Sequence, residues 1–369
     1  MARHERSPSL SGTVKAEPPF DNTIAPIENT ISLTPLSEIG PNIFTNTRKL
    51  WQPVGARGIY GGSVISQSLL AAQLTVPSTF VPHSMHCYFV LSGNPHIPIL
   101  YHVDIVREGR SFHTRTVQAR QRGKVIFTMA CSFTVPQAIK IAGGDSAEKR
   151  IVQHQPLFPT ADIKPPEECE NELDVINRLL ATGSINEDAA AAGRKRYERD
   201  PFEWRAIVIH QRNPSAPSIH PASTSRPGHS LSPAEKVMRQ WVRSKAPISN
   251  PLYLSPALAY FSDLWFVSAL ELANPAARRD KIGMMVSLDH TIHFHAGDRI
   301  KLDEWLLVET VNTWADEERA LSMRRVWSAD GILLASCLQE GILRLKDGRE
   351  GGGMEDSGGL GAAPPKAKL

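Results

Sequence analysis

Residues 61–76 read GGSVISQSLLAAQLTV, and His83-Ser84-Met85-His86-Cys87-Tyr88-Phe89 follows them. The first run is apolar and helix-like; the second reads as a strand that ends at Gly93. The same order recurs later: residues 256–272, PALAYFSDLWFVSALEL, precede His290-Thr291-Ile292-His293-Phe294-His295, with Gly297 at nearly the same offset. Three strands follow in each copy. Residues 99–106 alternate, with Ile99, Tyr101, Val103 and Ile105 on one side and His102 and Asp104 on the other. Residues 111–120 and 124–135 make a hairpin around Arg122-Gly123. Their counterparts are residues 304–311, 319–327 and 332–343, and the turn Asp330-Gly331 joins the last two because both residues accept positive φ. The last strands, VIFTMACSF and ILLASCLQEGIL, are nearly continuous apolar runs, which predicts burial on both faces.

One helix against an antiparallel sheet, made twice, is an α+β chain. A helix wrapped by a curved antiparallel sheet is the hotdog architecture, and two that pair their sheets edge to edge give a double hotdog. The repeats span residues 31–137 and 201–345. Residues 1–30 are polar, rich in Pro and Ser and without a period, which predicts a flexible tail. Residues 138–200 read as a linker with a short helix around 170–180. Residues 213–233, NPSAPSIHPASTSRPGHSLSP, predict a disordered insertion in the second hotdog. Residues 346–369 carry Gly351-Gly352-Gly353 and Pro364-Pro365 and read as a second flexible tail.

Composition removes several functions. Lys plus Arg is 41 against 38 for Asp plus Glu, a net charge of +3 over 369 residues, too little to hold nucleic acid by bulk charge. No apolar run reaches the roughly 18 residues of a membrane span, and MARHERSPSL lacks the apolar stretch of a secretory signal. Cys87, Cys131, Cys169 and Cys337 are too scattered for a disulfide scaffold or a zinc site and read as reduced thiols. There is no G-x-S-x-G, no G-x-G-x-x-G and no P-loop, so neither a hydrolase elbow nor a phosphate cradle is expected. His83-x-x-His86 and His290-x-x-His293 lie on strands, where positions three apart face opposite ways, so no metal and no cofactor is expected.

Four places could carry chemistry. Asp263 sits among Tyr260, Phe261, Leu264, Trp265, Phe266 and Val267, where a carboxylate must be partnered, neutral or facing a polar cavity, unless Ser262 or Asp263 starts the helix as its cap. Gln339 interrupts an apolar strand; its amide either holds a water or marks where the strand meets solvent, with Gly341 as a bulge. Ser287 offers a hydroxyl just before Leu288-Asp289-His290. Gly61-Gly62 opens the first helix, where bare N–H groups suit an oxyanion and a tight turn equally requires glycine.

Together these residues bring out a likeness. Arg57-Gly58-Ile59-Tyr60-Gly61-Gly62, the His83–Phe89 strand, Arg107-Glu108-Gly109-Arg110-Ser111-Phe112, Tyr260-Phe261-Ser262-Asp263, Leu288-Asp289-His290 and Gln339-Glu340-Gly341 resemble the type II acyl-CoA thioesterases, the bacterial TesB-like and peroxisomal double-hotdog enzymes. The resemblance implies hydrolysis of fatty acyl-CoA to free acid and CoA by an activated water. Asp263 would accept the water's proton, and Ser287 and Gln339 would orient it; the bacterial members often carry Thr where Ser287 stands. Gly61 and Gly62 would face the thioester oxygen. The final Ala367-Lys368-Leu369 is close to S-K-L and resembles an address read by the peroxisomal import receptor, which places the chain in the peroxisomal matrix. Exposed sheet edges make a homo-oligomer an expectation. Two rivals remain: a hotdog enoyl-CoA hydratase or dehydratase, for which Ser92-Gly93-Asn94-Pro95-His96 is a partial match to G-D-x-N-P-x-H, and a non-catalytic acyl-CoA binding protein.

Overall fold

The structure, a computed structural model, describes residues 17–136, 152–160, 163–206, 208–211, 232–274, 277 and 281–346. Most of the 213–233 insertion and of the C-terminal tail, with its tripeptide, lies outside these residues.

The first element corrects the reading of residues 1–30. α1 (Pro26–Ile31) starts with Pro at its first position, and Ile27 and Ile31 are fully buried. The Glu28 carboxylate accepts the Ala25 N–H at 2.9 Å and, from the far half of the chain, the N–H groups of Ser249 and Asn250 at 3.3 and 3.1 Å. Two apolar residues on a six-residue helix are too short a pattern to show a period, which is why the sequence reads as a tail.

β1 (Leu33–Pro35) and β2 (Ile43–Asn46) precede α2 (Gly61–Gln73), and β3 (Val81–Phe89), β4 (Leu100–Glu108), β5 (Phe112–Gln121) and β6 (Lys124–Thr134) complete the first half. The stretch between the halves is not bare linker: α3 (Glu172–Ala181) and α4 (Glu187–Arg199) are capped by the Asn171 and Asn186 side chains. The second half runs β7 (Phe202–Trp204), β8 (Val208–Gln211), β9 (Lys236–Ser244), α5 (Leu254–Ser262), α6 (Ser268–Ala273), β10 (Ile282–Ser287), β11 (Asp289–Phe294), β12 (Leu306–Asp316), β13 (Arg319–Ser328) and β14 (Leu333–Leu345).

The 14 strands among the described residues form one antiparallel sheet in the order β1-β2-β4-β5-β6-β3-β11-β14-β13-β12-β9-β7, with β10 beside β14 and β8 beside β9. The two halves meet where β3 pairs with β11, His290 opposite Cys87 and Ile292 opposite Met85. The sheet curls over α2 and α5, which lie against each other in the centre: a double hotdog. Arg122 and Gly123 both take positive φ in the first hairpin turn, whereas in the second only Gly331 does.

Two details depart from the sequence reading. β6 and β14 bury both faces only at their starts, at Ile126-Phe127 and Leu333-Leu334-Ala335; further on, Met129 and Cys337 point into the core while Ala130 and Leu338 are exposed. The outer face is covered at Leu333, which packs with Trp241, Leu307 and Trp327 against Phe158 and Ile163, and opens beyond it. A register shift between Pro82 and Ser84 also turns His83 onto the outer face with His86, where it meets Ser132 Oγ at 2.8 Å. A bulge resets strand alternation, and nothing in HSMHCYF announces it. Among the described residues no group of three or more His, Cys, Asp or Glu could hold a metal ion.

The centre of the molecule is tight. Tyr60 Oη donates to the Tyr260 carbonyl at 2.7 Å, and a Cβ on Gly62 would stand 2.3 Å from that same oxygen and 2.6 Å from the Tyr60 ring. Gly62→Ala should therefore push α2 and α5 apart and destabilise the fold by about 1–3 kcal/mol, read as a lower thermal midpoint. An unchanged midpoint would contradict this packing.

Candidate active site

The second helix does not run through residues 256–272 as its sequence suggests. α5 ends at Ser262 with Asp263 as its C-cap, Trp265 takes a φ of 61°, and α6 begins only at Ser268. Asp263 therefore ends a helix instead of capping the start of one. Such a break frees backbone carbonyls inside the core, and these need donors. Arg324, on the inward face of β13, supplies them: Nη1 donates to Ser262 O at 2.7 Å and to Leu264 O at 2.8 Å, and Nε donates to Thr310 Oγ1 at 2.9 Å. Its guanidinium also lies 4.5 Å from the Phe266 ring centre. Burial holds Arg324 down to about 10, still charged at neutral pH.

Clamped in this way, the Asp263 carboxylate points at the N-terminus of α2 in the other half. A Cβ on Gly61 would sit 2.7 Å from Asp263 Oδ2. The Gly62 N–H and the Gln339 amide stand beside the carboxylate and favour its charged form. Burial nevertheless pushes the Asp263 pKa up to about 6, against the opposing pull of these two groups and of Arg324.

Gln339 faces inward from β14, and its Nε2 donates to Ser287 Oγ at 2.5 Å at the end of β10. Thus Asp263, Ser287 and Gln339, distant in sequence, meet at one point, with the Gly61-Gly62 turn from the first half beside them. His290 lies behind the amide, fully buried, with Nδ1 2.7 Å from Gln339 Oε1 and Nε2 3.0 Å from Ser262 Oγ. In the sequence His290 reads as one member of a His-x-x-His pair, and no motif marks Arg324. The available signal for Arg324 was its phase: Ala320, Ser322, Arg324 and Val326 share the buried face of β13. A small cleft beside Gln339 is walled by Phe266, Val267, Leu270, Ala320 and Gly341.

The first half has no counterpart acid. Where Asp263 would align, α2 carries Ser66-Gln67-Ser68, and Gln67 Oε1 accepts a hydrogen bond from Tyr101 Oη at 2.6 Å.

Two family models match the chain, the acyl-CoA thioesterase N-terminal domain over residues 47–134 and the acyl-CoA thioesterase C-terminal domain over residues 187–343. Acyl-coenzyme A thioesterase 8 of Homo sapiens is 32% identical over 335 residues, which cover 90% of this chain and 93% of that protein. Peroxisomal acyl-coenzyme A thioester hydrolase 1 of Saccharomyces cerevisiae is 28% identical over 338 residues, 86% of this chain and 94% of that one. Among solved structures, the acyl-CoA thioesterase II TesB2 of Mycobacterium marinum superposes with a TM-score of 0.60 at 28% identity, covering 88% of this chain and 99% of its own.

The raised carboxylate has a consequence for stability. The folded protein keeps a proton on Asp263 at pH values where the unfolded chain, with an ordinary Asp of 3.8, has released it. This contribution to stability is full below about pH 4 and lost as pH rises through about 6, some 3 kcal/mol in all. Asp263→Asn should then be more stable than the native protein at pH 8, with the difference shrinking toward pH 4 in denaturant unfolding. A stability difference that does not move with pH would contradict the assignment.

Proposed function

The chain belongs to the acyl-CoA thioesterase family and is a thioester hydrolase acting on acyl-CoA; from that premise we propose that it cleaves fatty acyl-CoA with Asp263 as general base, Ser287 and Gln339 orienting the water, and no covalent acyl-enzyme. The observation that carries this reading is the Gln339 amide, which donates to Ser287 Oγ and, beside the Asp263 carboxylate, favours its charged form. A water held among these three groups has its proton directed at a carboxylate and its lone pair free to attack.

The water oxygen bonds to the thioester carbonyl carbon as Asp263 takes one of its protons, and the carbonyl electron pair moves onto oxygen. Collapse of the tetrahedral intermediate breaks the carbon–sulfur bond, and Asp263 returns the proton to the departing thiolate, leaving a fatty acid and CoA-SH. A carboxylate with a pKa of about 6 is a stronger base than ordinary Asp and remains ionised at pH 7 to 8. The thioester oxygen is assigned to the Gly61-Gly62 turn, where the positive end of α2 favours developing negative charge. We assign the protein to the peroxisomal matrix, through Ala367-Lys368-Leu369, on that tripeptide and on the likeness to the yeast peroxisomal relative.

Asp263→Asn should lower kcat for thiol release from a fatty acyl-CoA by about 100-fold or more, the scale of a lost general base. Gln339→Ala should also lower kcat with little change in KM. Native turnover should fall as pH drops through about 6, because a protonated Asp263 cannot take the water's proton. Near-native turnover in both variants would remove the site assignment.

Deleting Ala367 to Leu369 should leave the activity of the purified enzyme unchanged and shift a fluorescent fusion from punctate peroxisomes to diffuse cytosol. A fusion that remains punctate without the tripeptide would refute the localisation.

A further inference from the structure

Behind the three proposed catalytic groups the hydrogen bonds continue. Ser262 Oγ meets His290 Nε2, His290 Nδ1 meets Gln339 Oε1, and Gln339 Nε2 donates to Ser287 Oγ. The contacts tie the helix that Asp263 caps to the strand bearing the amide. We propose that His290 is a positioning residue: its Nδ1–H holds the Gln339 amide in the one orientation that presents Nε2–H to Ser287, beside Asp263.

The direction of each hydrogen bond follows from what each atom can do. An amide can turn end for end, and the reversed form would set the Gln339 oxygen against the Asp263 carboxylate. In the observed form Gln339 Oε1 faces His290 Nδ1 at 2.7 Å, and a carbonyl oxygen only accepts, so Nδ1 carries a proton. Burial, with Arg324 nearby, lowers the His290 pKa to about 4, so the ring is neutral and Nε2 is bare. A bare Nε2 needs a donor, and Ser262 Oγ stands 3.0 Å away. That hydroxyl also lies 2.9 Å from the Ala259 carbonyl. Giving its proton to Ala259 instead would leave a lone pair facing Nε2 and would call for a doubly protonated ring, which burial opposes. The ring is held in place by the edge of Phe266, 5.4 Å between centres. The protons therefore all point one way: Ser262 to His290, His290 to Gln339, Gln339 to Ser287. A buried neutral imidazole used in this manner does no proton transfer; it removes the amide's freedom to turn.

The inference rests on the proposed roles of Asp263 and Gln339, and its test separates the two. Selective 15N-histidine labelling of the whole protein, with His290→Asn to assign the resonance, reports which ring nitrogen is protonated. We expect the Nδ1–H tautomer, and an Nε2–H tautomer or an imidazolium at pH 7 would overturn the proposal whether or not Asp263 is the base. Kinetically, His290→Leu should lower kcat about 10- to 100-fold with KM nearly unchanged, the usual scale for losing a group that orients a reacting one. An Asn amide nitrogen reaches the place of Nδ1 and should restore most of kcat, whereas His290→Gln, whose nitrogen reaches the place of Nε2, should not. Equal kcat in the Asn and Gln variants, or a Leu variant with native kcat, would refute the positioning role. An effect at His290 with none at Asp263 would instead refute the general-base reading.

Discussion

The structure depends on one placement: the Asp263 carboxylate, largely withdrawn from water where two helices from opposite halves of the chain meet. A carboxylate removed from water must gain hydrogen bonds or lose its charge. Here the N–H at the start of α2 and the amide from β14 favour its charged form, and still its pKa rises to about 6. Both helices are constrained by this arrangement. α2 needs glycine at 61 and 62 because a side chain there would strike Asp263 or the Tyr260 carbonyl. α5 must stop at Ser262, because a continuous helix would not free the backbone that Arg324 clamps on either side of the acid.

The two halves share this framework and use it differently. In the first, Arg115 lies opposite Cys131 in the sheet; in the second, Arg324 lies opposite Cys337. Each arginine is fully buried and donates to carbonyls of its own half's helical segment. Arg115 reaches Thr75 O at 2.9 Å, just past the end of α2, whereas Arg324 reaches Ser262 O and Leu264 O in the middle. A repeated Arg thus closes an unbroken helix in one copy and supports a broken one in the other. Only the broken copy has room for an acid, and it borrows the helix start of its unbroken neighbour to hold it.

Much of this is legible in the sequence. The repeated order of helix and strands predicts the double hotdog, and most of the predicted strands end within a few residues of the observed ones, because period-two alternation and the turns at Arg122-Gly123 and Asp330-Gly331 are local signals. Elements that owe their form to distant contacts are not legible. α1 is held by Ser249 and Asn250, and the break after Ser262 is held by an arginine on β13. Asp263, Ser287 and Gln339 stand out as candidates by residue type and by family likeness, but the contacts among them require the fold. His290 shows the limit most plainly: within DHTIHFH it is one histidine among several, and its part emerges only with Gln339 on one nitrogen and Ser262 on the other.

The most direct measurement is the titration of Asp263 itself, followed through the side-chain carboxyl 13C resonance of aspartate-labelled protein and assigned with Asp263→Asn. We expect the half-buried acid at the junction of the two helices to titrate near pH 6. A midpoint at the ordinary aspartate value of 3.8 or below would mean that the carboxylate is not desolvated as described, and the account of both the fold's centre and its chemistry would fail with it.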